Sequence, residues 1–374
     1  MGGHLVQFAA RYGELFGMRL LVIGGSVFLG QAFVADALAR GWEVTTFNRG
    51  KTAHDLPGVE VVRGDREVQG DLDTLAAAGP WDAVVDVCGY VPRVVGASVR
   101  TLAPQTRTYL FVSSVSAVQG WPELAVDDSS PRQECASDAD RDAGDYGVLK
   151  AGCERAVEEG FPDGALVLQP GLIMGPGDRA RRLTWWLDRA ARGGRMVAPG
   201  APERPMQLID ARDIAAFGLD QVERGATGRY MVSGVRANTT WGEYLGTCVE
   251  VTGSKAELVW VDDALIVEHE VEMWTELPLW TPQGPEDAAV WEPDSSRAIA
   301  AGLRCRPVVE SIRDTWAWLA TPQGHQEAFG AYRSFAQGGV QERGLAPEKE
   351  QRILDAWDAA LSSRSCREVT SSSL

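Results

Sequence analysis

The sequence predicts an α/β fold, a doubly wound parallel sheet with helices on both faces and a smaller C-terminal lobe. Three observations carry this. Short apolar runs alternate with amphipathic helical patterns through the first half of the 374 residues, the rhythm of a parallel sheet covered on both sides. The first of these runs, Leu20 to Ile23, passes into the turn Gly24-Gly25-Ser26-Val27-Phe28-Leu29-Gly30. After Gly175 the rhythm is lost and tryptophan accumulates at 185, 186, 241, 260, 274, 280 and 291.

Taken in order, Arg19 to Ile23 reads as a strand, and Phe28, Leu29, Phe33, Val34, Ala37 and Leu38 form a helical stripe. Strand patterns follow at Glu43 to Phe47, Val59 to Val62, Ala83 to Val87 and Tyr109 to Ser113. A further strand, Ala165 to Leu168, runs into Gln169-Pro170-Gly171. Between the last two, Trp121 to Gly144 is rich in Asp, Ser, Pro and Glu and has no apolar period. Such a segment is either a mobile flap or a solvated surface loop.

These patterns divide the chain into an N-terminal extension (1–17), a first domain (18–175, with a return near 206–235), a second lobe with C-terminal helices (176–361) and a polar, disordered tail (362–374). The extension precedes a second methionine, Met18, directly before the first strand. The natural start is expected there, the alternatives being a loose extension or a docked amphipathic helix.

Composition bounds function. The formal net charge of −16 disfavours a nucleic-acid partner, which needs a basic surface. No apolar run reaches the length of a membrane span, so no membrane partner is expected. Six cysteines without a C-x-x-C pair, and four scattered histidines, argue against a metal site or disulfide framework. A reducing cytoplasm fits this usage.

A strand, a glycine turn and a helix start together bring backbone N–H groups to a dinucleotide pyrophosphate, which makes the first domain Rossmann-type. Gly24, Gly25, Ser26, Phe28, Leu29 and Gly30 are the candidate residues, although Val27 occupies the central position of a G-x-x-G-x-x-G pattern. At the end of the second strand, where an acidic residue would bind NAD ribose hydroxyls, the chain has Asn48, with Arg49 and Lys51 beside it. A guanidinium there suits a 2′-phosphate, so NADP(H) is favoured over NAD(H), which remains open. Asp65 in Gly64-Asp65-Arg66 is expected near the adenine amino group, with Arg66 also on the cofactor.

Tyr146 and Lys150 stand four residues apart, on one helical face. A phenol is a poor acid or base at neutral pH. An ammonium one turn away, with an oxidised nicotinamide, would favour the phenolate and let Tyr146 exchange a proton with a substrate oxygen. Lys150 would also hold ribose hydroxyls. Ser114 closes the fifth strand and is the first choice to hydrogen-bond the reacting oxygen, Ser113 the second. The expected function is NADP(H)-dependent hydride transfer at a carbonyl or secondary alcohol of a small molecule.

These motifs make the chain resemble the extended short-chain dehydrogenase/reductase superfamily, the NAD-dependent epimerase/dehydratase group, in its atypical branch. Ser113-Ser114, Tyr146 to Lys150, Gln169-Pro170-Gly171, Gly175-Pro176-Gly177-Asp178 and Gln207 to Asp213 carry the resemblance, which spans Met18 to about Leu361. It implies that Cys88, Gly89, Ser113, Pro170 and Gly171 border the cofactor. It also implies that Tyr90, Met174, Arg181, Trp185 and Gln207 face the substrate, and that a homodimer forms through a helix starting near Tyr146. Ser114 is followed by Val115 and Ser116 where nucleotide-sugar dehydratases carry an Asp-Glu pair, so dehydration is not expected. Two alternatives follow from the resemblance: a nucleotide-sugar epimerase with retained NAD, and a non-catalytic NAD(P)-binding regulator.

Overall fold

Seven strands build the central sheet: β1 (Arg19–Ile23), β2 (Glu43–Asn48), β3 (Glu60–Arg63), β4 (Ala83–Asp86), β5 (Thr108–Val112), β6 (Ala165–Pro170) and β7 (Gly228–Val232). Their order is β3-β2-β1-β4-β5-β6-β7, and every pairing is parallel. The computed structural model describes residues 17–51, 54–330 and 344–371, with side chains up to residue 363. All but Gly17 of the expected extension lies outside the described residues.

Strand alternation sorts the core into two layers. On one face Leu20, Val22, Ala83, Val85, Leu110, Val112, Leu166 and Leu168 pack against helices α1 (Leu29–Ala39) and α5 (Ala211–Glu223), through Phe33, Val34, Ile214 and Phe217. On the other, Leu21, Ile23, Val84, Tyr109, Phe111 and Val167 meet α2 (Gln69–Ala78), α3 (Pro92–Leu102) and α4 (Tyr146–Gly160). Strand order reverses between β1 and β4. In a doubly wound sheet that switch point, beyond the strands' carboxyl ends, is where ligands collect.

The described chain forms two compact units: Met1–Ile173 with Leu208–Arg236 and Glu292–Arg306, and Met174–Gln207 with Ala237–Trp291 and Pro307–Leu374. The sequence put the boundary at 175 and one return near 206–235. The second return, Glu292–Arg306, carries no strand and went unread; Arg306 is fastened to Asp213 of α5 at 2.7 Å. In the second unit the tryptophans are core: Trp186, Trp241 and Trp280 are all but fully buried. Trp186 stands edge-on to Trp241, centroids 5.6 Å apart, and donates to the Pro278 carbonyl at 2.9 Å.

One alternative is decided and one expectation corrected here. Of the two readings of Trp121 to Gly144, the surface loop holds and the free flap does not: Asp128 accepts the Met231 N–H at 2.6 Å, and the Val126 carbonyl accepts from Asp294 N–H at 2.8 Å. Arg155 of α4 donates to the carbonyls of Gln133 and Cys135. The tail expected to be disordered from Ser362 continues a helix, Pro347–Ser371. Ser362 and Ser363 donate to the carbonyls of Asp358 and Ala360, so these serines bond back along the helix instead of ending it.

Phe33, fully buried between α1 and the sheet, touches the Cβ direction of Gly218 on α5 at 2.8 Å. Phe33→Ala is expected to destabilise the protein by roughly 3–5 kcal/mol, measured by urea denaturation with circular dichroism.

Candidate active site

The turn after β1 is shaped by close backbone approach. Gly24 has φ +90°, and a Cβ there would meet Cys88 Sγ at 2.8 Å. A Cβ on Gly30 would fall onto the Gly24 carbonyl, so the start of α1 can lie directly on the turn only with glycine at that position. The helix begins with Phe28 as N-cap, which brings no side-chain acceptor, and its first turn holds no acidic residue. The helix's positive end therefore lacks an internal anion. This bare glycine cradle at the sheet's switch point fits a pyrophosphate. Ser26 and Leu29 are buried beside it.

The tip of β2 differs from its sequence reading. Asn48 donates to Asp55 Oδ1 at 2.7 Å and accepts the Gly50 N–H at 2.9 Å. The Arg63 guanidinium contacts both Asn48 and Asp55. Burial would raise the Asp55 carboxyl, but Arg63, Asn48 and Thr46 outweigh it and hold it below the ordinary range. Thus a carboxylate missing from the end of the strand returns from the following loop, seven residues on. Arg49 lies 3.6 Å from the Asp65 carboxylate, and Lys51 is exposed. Asp65 turns its other oxygen to the Glu67 N–H at 3.1 Å.

Arg66 requires a correction. Its guanidinium faces inward and grips Asp86 at 2.8 and 2.7 Å, while also donating to Ser98. Tyr109 donates to the same carboxylate at 2.9 Å. Burial pushes the Asp86 carboxyl up, yet the paired Arg66 more than offsets this and its position is lowered. Arg66 therefore braces β4 and β5 from below. The Cys88 thiol, raised by burial, lies 3.7 Å from Arg66 and 3.5 Å from the Ile23 carbonyl, turned into the fold beneath the glycine turn.

Helix α4 starts against the strand end. Asp145 caps it by accepting the Val148 N–H at 3.0 Å. A Cβ on Gly147 would fall onto the Ser116 carbonyl, so α4 touches the turn Val115–Ala117. Contact there brings Tyr146 beside the Ser114 segment. Ser114 caps that turn, its Oγ accepting the Ser116 N–H at 3.2 Å. One helical turn on, Lys150 is 2 % exposed and donates to the carbonyls of Gly89 at 2.9 Å and Val112 at 2.7 Å. Its ammonium lies 4.5 Å from the Phe111 ring centroid and 5.2 Å from that of Tyr90. Tyr90 in turn stands 6.5 Å from Tyr146, ring to ring.

Ser113 is the second correction. Its hydroxyl donates to Glu154 at 2.5 Å and is buried, turned away from the side where Ser114 stands. Glu154 also accepts both Gln169 amide contacts, at 2.9 and 3.1 Å, and Arg132 at 3.3 Å. Burial raises its carboxyl, with Ser113, Gln169 and Arg132 opposing. The sequence reading missed Glu154, although it sits four residues beyond Lys150 on the same face. Pro170 ends β6, and Gly171 leaves room for Ser233, whose Oγ would lie 2.7 Å from a Cβ there.

The remaining candidates belong to the second unit. Met174 and Gln207 are buried, and Trp185 is buried edge-on to Trp186, centroids 4.6 Å apart. Arg181 donates to the carbonyls of Ala328 and Phe329, capping the helix Pro322–Phe329. Their approach to a substrate stays an expectation of the sequence.

No protein-family model and no curated protein sequence matches the chain. Solved structures do. UDP-glucose 4-epimerase of Thermotoga maritima, solved with UDP-glucose, has a TM-score of 0.62 at 15% identity, covering 81% of this chain and 98% of that one. Bordetella bronchiseptica WbmH, solved with NAD+, gives 0.63 at 15%, covering 82% and 99%. WbmG of the same organism, solved with NAD and UDP, gives 0.62 at 16%, covering 83% and 96%. The chain has the Rossmann-type fold of these proteins. At such identities the likeness is one of fold, and within that fold the glycine turn, Ser114, Tyr146 and Lys150 stand at the carboxyl ends of neighbouring strands.

Asp86→Asn leaves Arg66 buried and unpaired, and a loss of roughly 3–5 kcal/mol is expected in urea denaturation at neutral pH. Because folding lowers the Asp86 carboxyl, its contribution is present above the unfolded carboxylate range and is lost as pH falls through the folded one. The gap between wild type and variant should therefore narrow toward acid pH.

Proposed function

We propose that the chain is an NAD(P)-dependent enzyme that moves hydride to or from a secondary-alcohol or carbonyl carbon of a small molecule, with Ser114, Tyr146 and Lys150 as its catalytic residues. The observation that carries this reading is Lys150. An ammonium fixed by two strand-end carbonyls, one helical turn from a tyrosine, is the cation a phenol needs to act as acid or base.

The bare turn from Gly24 to Gly30 would hold the pyrophosphate, and Asn48, Arg49, Lys51 and Asp65 would border the adenosine. A bound nicotinamide supplies the hydride acceptor or donor. The chain's own groups do the rest. Tyr146 takes the proton of a substrate hydroxyl, or returns it to a forming alkoxide. Ser114 donates a hydrogen bond to that same oxygen and keeps it in reach of the phenol. Lys150 keeps a positive charge one helical turn from the phenol and has a third N–H for a ribose hydroxyl, since two are given to Gly89 and Val112.

Arg49, Lys51 and Arg63 at the tip of β2 favour a 2′-phosphate, and with it NADP(H). A second reading has its own support. The Asp55 carboxylate beside Asn48 would suit unphosphorylated ribose hydroxyls, and a UDP-glucose 4-epimerase of similar fold, from Thermus thermophilus, was solved with NAD. On that reading the chain is a nucleotide-sugar epimerase that keeps NAD through turnover.

Fluorescence titration with NADPH and NADH separates the two. Tighter NADPH binding by roughly tenfold, reduced to parity in Arg49→Ala, is expected for the first reading. Equal affinity, or NAD released on denaturation of the purified protein, supports the second. On either reading Tyr146→Phe should lower turnover by about 10²- to 10⁴-fold while leaving dinucleotide affinity unchanged. Full turnover in that variant contradicts both.

A further inference from the structure

We propose that Glu154 is a positioning residue for the catalytic groups, holding the end of β5 and the face of α4 in one fixed arrangement; this role rests on the function proposed above. Glu154 is completely buried, carries a carboxylate, and takes no part in the proton transfer assigned to Tyr146. Three donors from three other segments converge on it, in four contacts. Ser113 comes from the end of β5, the Gln169 amide from β6, and Arg132 from the Trp121 to Gly144 loop. Arg132 is held in turn by Glu158, one turn further along α4, at 2.8 Å.

The consequence for the site is geometric. Ser113 and Ser114 are adjacent and chemically alike, yet the Glu154 carboxylate withdraws the first hydroxyl into the core. In an extended segment neighbouring side chains point to opposite faces, so fixing Ser113 inward fixes Ser114 outward. The same carboxylate sits on α4 one turn past Lys150 and two past Tyr146. One bond network therefore locks the relative position of strand end and helix, and with it the distance between the two hydroxyls that must reach one substrate oxygen. Misplacement of about 1 Å costs on the order of 10²-fold in rate.

The network also has a built-in spare. Gln169 Oε1 is buried without a hydrogen-bond partner. In Glu154→Gln the new amide can donate to that oxygen while its own carbonyl accepts from Ser113. The contacts that Arg132 and Gln169 Nε2 make to the second carboxylate oxygen are then given up, while those of Ser113 and Gln169 to the first are kept. Glu154→Ala, by contrast, releases Ser113 and Gln169 together.

The test uses the full chain with Glu154→Ala, Glu154→Gln and Tyr146→Phe, read by NADPH titration and by steady-state kinetics on a carbonyl substrate selected with the wild type. Glu154→Ala should lower kcat by roughly ten- to a hundredfold, with KM and NADPH affinity within about twofold, and Glu154→Gln should recover most of the loss. Unchanged kcat in Glu154→Ala, with Tyr146→Phe inactive, overturns the positioning role and leaves the catalytic reading standing. Full activity in Tyr146→Phe overturns the catalytic reading, and the positioning role with it. Should Glu154→Ala fail to fold, or no carbonyl substrate emerge, hydrogen exchange on Arg132→Ala and Glu154→Gln decides. Faster exchange at Ser113 to Ala117 in Arg132→Ala, with the Gly24 to Gly30 turn unaffected, supports the lock. Exchange there equal to wild type in both variants overturns it.

Discussion

A buried ammonium organises the first unit. Lys150 is removed from water, and among the described residues no carboxylate pairs with it; two backbone carbonyls and two aromatic faces compensate instead. Those carbonyls belong to Gly89, after β4, and Val112, at the end of β5. Burying the cation thus ties two strand ends to α4, at the side of the sheet where strand order reverses. Gly89 is itself constrained, since a Cβ there would meet Phe111 and Val95 at 2.6 Å. Carbonyl, ring and ammonium come as one packed set.

Around this centre the charges divide into two kinds. Arg66 with Asp86 lies under the sheet's carboxyl edge and braces it, and Glu154 with Ser113 and Gln169 braces the far side of β5. Both pairs are buried, where losing one partner is far more costly than at a surface. Ser114, buried with its hydroxyl against Ser116, and the half-buried Tyr146 stand at the strand ends. At the tip of β2 the balance is different: Arg49, Lys51 and Arg63 stand against Asp55 and Asp65, and the two readings of the proposed cofactor divide on which sign of this cluster a ligand would meet.

Much of this was legible in the sequence, for identifiable reasons. Apolar runs with period two or continuous burial place β1 to β6, and the turn after β1 is visible because only glycine permits the approach of Gly30 to Gly24. Tyr146 and Lys150 declare themselves by helical spacing. Tertiary partners were not legible. Arg66 looked like a ligand-binding cation because Asp86 is twenty residues away, and Ser113 stood as second choice to Ser114 because Glu154, which engages it, is forty-one residues away. Asp55 escaped notice because its role depends on how a loop folds back onto Asn48. Trp185 was read as facing a substrate, but it packs edge-on against Trp186, which periodicity alone does not reveal.

A crystal structure of the chain grown with NADP+ tests the central claim most directly. The account predicts the pyrophosphate over the Gly24 to Gly30 turn and the nicotinamide beside Ser114 and Tyr146. It also predicts that Lys150 keeps both carbonyl bonds while its remaining N–H reaches the ribose. A dinucleotide bound elsewhere, or one seated there with Lys150 pulled away from Gly89 and Val112, would contradict it.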